Sequence, residues 1–215
     1  MEVLGNYAND GYALISELLS PSILNALLAD IKSETAPKTI PISQEDVFAP
    51  ILNRAAFEVY GPYYTPMKFL QWGMTPVMER LVGKSLEPSY DFFRLYRTGD
   101  VCKVHSDRPA CEHSMTLTLG YSDGIEWPFH VGHEAIAAPC PITDDFGGKS
   151  FATLLMRPGD AVIYKGVEAR HGRVDPNPNA WSAHIFLHWV ERDGRHAGSA
   201  FECGSATSPV DFSFV

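Results

Sequence analysis

The sequence predicts a mainly β domain with flanking helices, a sandwich or barrel with helices packed on its outside. From about residue 90 onward, DFFRLYRTG, SMTLTLGY, FATLLMRP, DAVIYKG and SAHIFLHWV are short and rich in β-branched and aromatic residues. Each is bounded by Gly, Pro or Asp, the pattern of several strands joined by turns. The first third carries helical spacing instead. The chain has 215 residues with no internal repeat and no linker-like block. A single domain over 1–215 is expected, with 1–85 a mostly helical support and 90–190 the β core.

Taken in order, GYALISELL reads as a short strand or the start of a helix. Ser20-Pro21 sets a helix start, with Ser at the cap and Pro in the first turn. Ile23, Leu24, Leu27, Leu28 and Ile31 then recur on one face. A loop with Pro37 and Pro41 follows. A second helix is expected from about Ser43 through QEDVFAPILNRAAFEVY, with Pro50 as a kink or divide. A third runs from about Pro66 to Val82, with Phe69, Leu70, Met74, Val77, Met78 and Leu81 on one stripe and Gly83 as its stop.

Composition narrows the function. Lys and Arg number 17 against 26 Asp and Glu, a net charge of -9. Such a surface repels phosphate backbones, so no nucleic-acid partner is expected. No apolar run approaches the ~20 residues of a membrane helix. The opening MEVLGNYANDGYALI lacks a basic segment followed by an apolar one. Cys102, Cys111, Cys140 and Cys203 form no CxxC pair. Reduced thiols in a cytoplasmic protein are the simpler reading.

The stretch YRTGDVCKVHSDRPACEHS carries the chemistry. His105 and Asp107 stand at i and i+2, the same face of a strand, where an imidazole nitrogen and a carboxylate oxygen can meet one ion. His171, in YKGVEARHGRV, supplies a third ligand. Two His and one carboxylate leave positions open on an octahedral metal. That suits Fe(II) with a chelating cosubstrate and O2; Zn(II) prefers a closed or nearly closed tetrahedral site, but the ligand set alone does not exclude it.

Tyr96, Gly99, His105-Ser106-Asp107, Pro158-Gly159-Asp160 and His171 follow one another in an order that resembles the Fe(II)/2-oxoglutarate-dependent dioxygenases, in particular the prolyl-hydroxylase-like branch. The resemblance covers roughly residues 90 to 190. It implies a double-stranded β-helix, or jelly-roll, core with the metal in its mouth and His105, Asp107 and His171 on iron. It also implies 2-oxoglutarate and O2 as cosubstrates, and hydroxylation of an unactivated C–H with succinate and CO2 as co-products. Asp107 argues against a halogenase, which carries a small residue there.

One departure stands out. The family places Arg or Lys about ten residues past the distal His, and that position is Ala180 here. Burying a dianion without a cation is expensive, so another basic group is expected. Arg94 is the first candidate, because it shares a strand face with Tyr96, which matches the family's cosubstrate-contacting Tyr. Ser182 and His184 complete the expected cosubstrate set, with His184, Lys103 and Arg173 as alternatives to Arg94 for the basic group.

Other motifs read more simply. His188 is expected to be a hydrogen-bonded core histidine. His130 and His133, in FHVGHE, do not match HExxH and read as loop or substrate-side residues. GGKS at 147–150 lacks the Gly of a phosphate loop and reads as a turn. Cys111 and His113 lack a third group to orient a thiol nucleophile. Trp127 stands either at the substrate mouth or in the barrel wall. The segment from about Gly124 to Lys149 is expected to form part of the entrance and to select substrate. The expected partner is a small metabolite, amino acid or peptidyl side chain. The rival reading is a non-catalytic, cupin-like ligand-binding or regulatory protein on the same metal-capable fold.

Overall fold

The computed structural model describes residues 1–35, 46–47, 49–137 and 139–202. The strands are β1 (Glu2–Leu4), β2 (Tyr12–Ser16), β3 (Asp46–Val47), β4 (Ala56–Tyr60), β5 (Leu86–Arg97), β6 (Cys102–His105), β7 (His113–Tyr121), β8 (Phe129–Ala135), β9 (Phe151–Leu154), β10 (Ala161–Tyr164), β11 (Ala169–Arg173) and β12 (Trp181–Glu191). The helices are α1 (Tyr7–Asp10), α2 (Pro21–Thr35) and α3 (Thr65–Val82). An eight-stranded antiparallel sheet runs β1-β2-β10-β7-β12-β5-β4-β3, and a four-stranded one runs β6-β11-β8-β9. This is the mainly β, jelly-roll architecture with flanking helices. Among the described residues no helix is long and apolar enough to cross a membrane.

The period-2 alternation of the central strands assigns each side chain to one of two layers. Leu117 of β7, Ile185 and Leu187 of β12 and Phe93 of β5 face outward and pack with Leu24 and Ile31 of α2 and Met67 and Met78 of α3. The intervening residues face into the roll. Phe92 and Tyr96 of β5 and Phe186 of β12 meet Cys102 of β6 there. Val162 and Tyr164 of β10 meet Phe129 and Val131 of β8. His184 and His188 are in phase with Phe186, and so belong to the inner layer.

Several expectations hold. Helix α2 begins at Pro21. Helix α3 stops at Gly83, whose φ of 76° is the left-handed conformation that glycine adopts without penalty. Leu70, Met74, Met78 and Leu81 of the predicted stripe pack on the core, joined by buried Met67 and Gln71, while Phe69 is 62% exposed. Gly147 and Gly148 form a turn.

Others are corrected. The helix expected from Ser43 through Tyr60 is instead strand wherever β3 and β4 are described, with Phe57 opposite Leu95 and Tyr60 opposite Phe92. The hydrogen-bonding groups of β5 determine that state, and local propensity yields to tertiary pairing. Residues 43–45 and 48, and the Pro37–Pro41 loop, lie outside the described residues. GYALISELL resolves as strand β2, paired with β10. The entrance segment expected at 124–149 contains strand β8, so His130 and His133 are strand residues and not loop residues. His130 is buried and His133 is exposed. The N-terminal third also adds β1 to β4 to the large sheet.

Candidate metal centre

Antiparallel pairing of β6 with β11 places His171 directly opposite His105. Asp107 lies two residues past His105, its backbone N–H donating to the Gly166 carbonyl at 2.8 Å. The two imidazole rings are 4.4 Å apart. Asp107 Oδ1 is 3.5 Å from His105 Nε2 and 3.4 Å from His171 Nε2. All three predicted ligands therefore meet at one point.

Hydrogen bonds fix which ring nitrogen is free. His105 Nδ1 lies 2.7 Å from the Lys103 carbonyl, and His171 Nδ1 lies 2.9 Å from the Ala169 carbonyl. A carbonyl only accepts, so both Nδ1 atoms carry the proton. Both Nε2 atoms then present lone pairs to the Asp107 carboxylate oxygen. Burial pushes the His105 imidazole below its ordinary value and favours its neutral form. His171 Nε2 is buried with no hydrogen-bond partner. Three electron-rich atoms converging in a buried place repel one another unless a cation sits between them. Burial alone would raise the Asp107 carboxyl; positive charge on the imidazole side of the junction, where a cation would sit, outweighs it and holds it well below the usual carboxylate range. The donor set fits Fe(II).

The Pro158-Gly159-Asp160 turn has a structural role. Asp160 accepts from the backbone N–H of Arg157 and of Glu17, each at 2.9 Å, which seats the start of β10. At the end of β10, Tyr164 packs against His171 with ring centres 4.6 Å apart.

The three side chains line a cavity of about 80 Å³, partly open to solvent, whose other walls include Tyr90, Phe92, Arg94, Tyr96, Arg173 and His188. Arg94 is already matched. Its Nε donates to Glu58 Oε1 at 2.6 Å and its Nη1 to Tyr96 Oη at 2.9 Å, with both carboxylate and guanidinium buried. Arg173 differs. It is 1% exposed, and its donors go to the Trp127 carbonyl at 2.5 Å, Met156 Sδ at 3.6 Å and His184 Nδ1 at 3.4 Å. None of those partners is anionic, and among the described residues no carboxylate pairs with it.

The remaining expected residues stand behind this wall. His184 is fully buried, and burial, with the charges of Arg173 and Arg94, pushes it well below its ordinary value, so it is neutral. Ser182 is buried and donates to Asn177 Oδ1 at 2.8 Å, away from the pocket. Trp127 is fully buried, donates to the Asp175 carbonyl and carries the Arg173 guanidinium 4.9 Å from its ring. It belongs to the wall and not to the mouth. Lys103 pairs with Asp144 at 2.8 Å. His188 is the buried, hydrogen-bonded histidine expected, 2.8 Å from Ser114 Oγ, and it also lines the pocket and stacks on Tyr90 at 4.5 Å.

Sequence reasoning missed Ser114 and Gly166. Ser114 Oγ is 2.8 Å from His188 Nδ1, 3.2 Å from the Cys111 carbonyl and 3.5 Å from Asp107 Oδ2. Its hydroxyl thus joins Asp107, the Cys111 main chain and His188. Gly166 lets Asp107 approach. A Cβ there would sit 2.5 Å from Asp107 Oδ2, 2.7 Å from Ser114 Oγ and closer still to the Cys111 carbonyl.

No family model matches the chain, and no curated protein matches its sequence. Solved structures do match it in fold. The non-heme α-ketoglutarate-dependent epimerase SnoN from nogalamycin biosynthesis aligns with a TM-score of 0.63 at 14% identity, over 86% of this chain and 80% of that one. HygX from Streptomyces hygroscopicus, with nickel and 2-oxoglutarate bound, aligns at 0.62 and 10%, over 87% and 85%. A Pseudomonas putida prolyl-4-hydroxylase aligns at 0.54 and 14%, over 86% and 95%. The chain thus has the fold of the Fe/2-oxoglutarate-dependent oxygenases.

Proposed function

We propose that this protein is an Fe(II)/2-oxoglutarate-dependent oxygenase that hydroxylates a C–H bond of a small metabolite, amino acid or peptidyl side chain. The observation that carries this reading is the junction of His105, Asp107 and His171, with both Nδ1 protons pinned to carbonyls, in the same pocket as a buried arginine that has no acidic partner. Fold alone would not license a reaction.

His105 and His171 would hold the metal through Nε2, and Asp107 through Oδ1. When bound, iron and 2-oxoglutarate supply oxidative decarboxylation to succinate and CO2 and the oxidising power to attack a C–H bond. Arg173 is the cation that a 2-oxoglutarate carboxylate would neutralise. Arg94, the first candidate from sequence, already spends its charge on Glu58 and shapes the wall through Tyr96. Neutral His184 keeps a second positive charge away from Arg173.

Aromatic walls around a small, partly open cavity support a small organic substrate. Among fold neighbours, HygX has been crystallised with hygromycin B and EctD from S. alaskensis with 5-hydroxyectoine. The neighbours also include an epimerase and a carbocyclase, so the fate of the oxidised carbon is decided by how substrate is held.

The test is succinate release from 2-oxoglutarate by the purified chain, with and without Fe(II), screened over amino acids and peptides. Iron-dependent succinate, lowered by at least 100-fold in His105→Ala and Asp107→Ala, is the expected result. Iron and 2-oxoglutarate binding without succinate under any condition would instead point to the non-catalytic alternative.

A further inference from the structure

We infer that Ser114 and His188 form a hydrogen-bonded pair that positions Asp107, holding its Oδ2 so that Oδ1 alone faces the metal. This rests on the assignment of Asp107 as a ligand. The two carboxylate oxygens face different groups. Oδ1 points at both imidazole Nε2 atoms. Oδ2 points the other way, 3.5 Å from Ser114 Oγ. Ser114 is fully buried and His188 is 2% exposed, so neither can turn to water for a partner.

The protons can be assigned by counting. Ser114 has one hydroxyl proton and three neighbours. Two of them, Asp107 Oδ2 and the Cys111 carbonyl, can only accept. If the hydroxyl donated to His188 Nδ1, its lone pairs would face both oxygens with nothing between. If His188 Nδ1 carries the proton, it donates to Ser114 Oγ, and the one hydroxyl proton is left for the two oxygens, to one or shared between them. The strand register maintains this order: His188 on β12 lies directly opposite Ser114 on β7, and stacking on Tyr90 at a 15° interplanar angle fixes the ring.

The consequence is a one-oxygen carboxylate. A carboxylate free to rotate can close on an ion with both oxygens and consume a position that a cosubstrate needs. An outer hydrogen bond to Oδ2 opposes that swing. Loss of such a bond typically weakens metal affinity by about 10- to 100-fold.

The experiment uses the full chain stripped of metal and titrated anaerobically with Co(II), followed by its visible spectrum. Ser114→Ala and His188→Leu should weaken Co(II) binding by about 10- to 100-fold and change the band intensities that report coordination number. His188→Asn places an amide N–H where Nδ1–H was, and should restore affinity to within about threefold of wild type. A purely packing role would not show that rescue. Because a buried variant can fail to fold, a second measurement uses wild type alone. A long-range ¹H–¹⁵N spectrum should show His188 protonated on Nδ1. Protonation on Nε2, or wild-type Co(II) affinity and spectrum in folded Ser114→Ala and His188→Leu, would overturn the inference. Failure of wild type itself to bind Co(II) would sink the metal assignment instead, so the two failures are distinguishable.

Discussion

Arg173→Met should raise the 2-oxoglutarate concentration needed for half-saturation by about 100-fold or more, while the metal-free protein becomes at least as stable as wild type. The two halves of this result have one cause. Arg173 is a fully buried cation whose partners are a carbonyl, a thioether and a neutral imidazole. Removing one partner of a buried charge pair costs about 2–5 kcal/mol, which is roughly 30- to several thousand-fold in affinity. Without the dianion, the same guanidinium is a desolvated charge with no counter-ion, a destabilising feature that methionine of similar length removes. Arg94→Met gives the opposite balance. It leaves the Glu58 carboxylate buried and unpaired, so it should destabilise the fold by about 3–5 kcal/mol. Isothermal titration with 2-oxoglutarate and thermal unfolding of both variants check this. Equal 2-oxoglutarate affinity in Arg173→Met and wild type would remove Arg173 from the role.

Gly166→Ala should abolish metal binding and destabilise the protein by about 1–3 kcal/mol, the usual range for an added methyl in a filled interior. The backbone there needs no left-handed φ, so the effect is one of space. The added carbon meets a main-chain carbonyl at Cys111 that cannot rotate away, together with Asp107 Oδ2 and Ser114 Oγ. Relief by shifting Asp107 would take Oδ1 out of line with the two imidazoles. Co(II) titration and chemical unfolding of the variant provide the measurement. Full Co(II) affinity in Gly166→Ala would show that the carboxylate does not need this approach.

The candidate ligands and the central strands were legible in the sequence. His105 and Asp107 stand two residues apart, although Asp107 lies beyond the end of β6 and not on the strand as expected, and β7, β10 and β12 alternate between the helix-facing and inward layers. Helix α3 was legible through its apolar stripe and Gly83. The 46–60 region misled because Pro50 and a mixed apolar spacing suit a broken helix as readily as two short strands, and only pairing with β5 decides. His188 read only as a core histidine because alternation cannot distinguish a filled interior from a pocket wall inside the same roll. Arg173 and Arg94 were similar on paper. What separates them is Glu58, 36 residues before Arg94, a tertiary contact with no local trace. Gly166 left no signal either, since its requirement comes from Cys111, Asp107 and Ser114 arriving together.

The central claim is tested most directly by a crystal of the full chain grown anaerobically with Mn(II) in place of Fe(II) and with 2-oxoglutarate. An anomalous peak about 2.0–2.3 Å from His105 Nε2, His171 Nε2 and Asp107 Oδ1 is predicted, with 2-oxoglutarate chelating the ion and reaching Arg173. An ion bound elsewhere, or His105 and His171 turned apart around a metal-free pocket at saturating Mn(II), would contradict it.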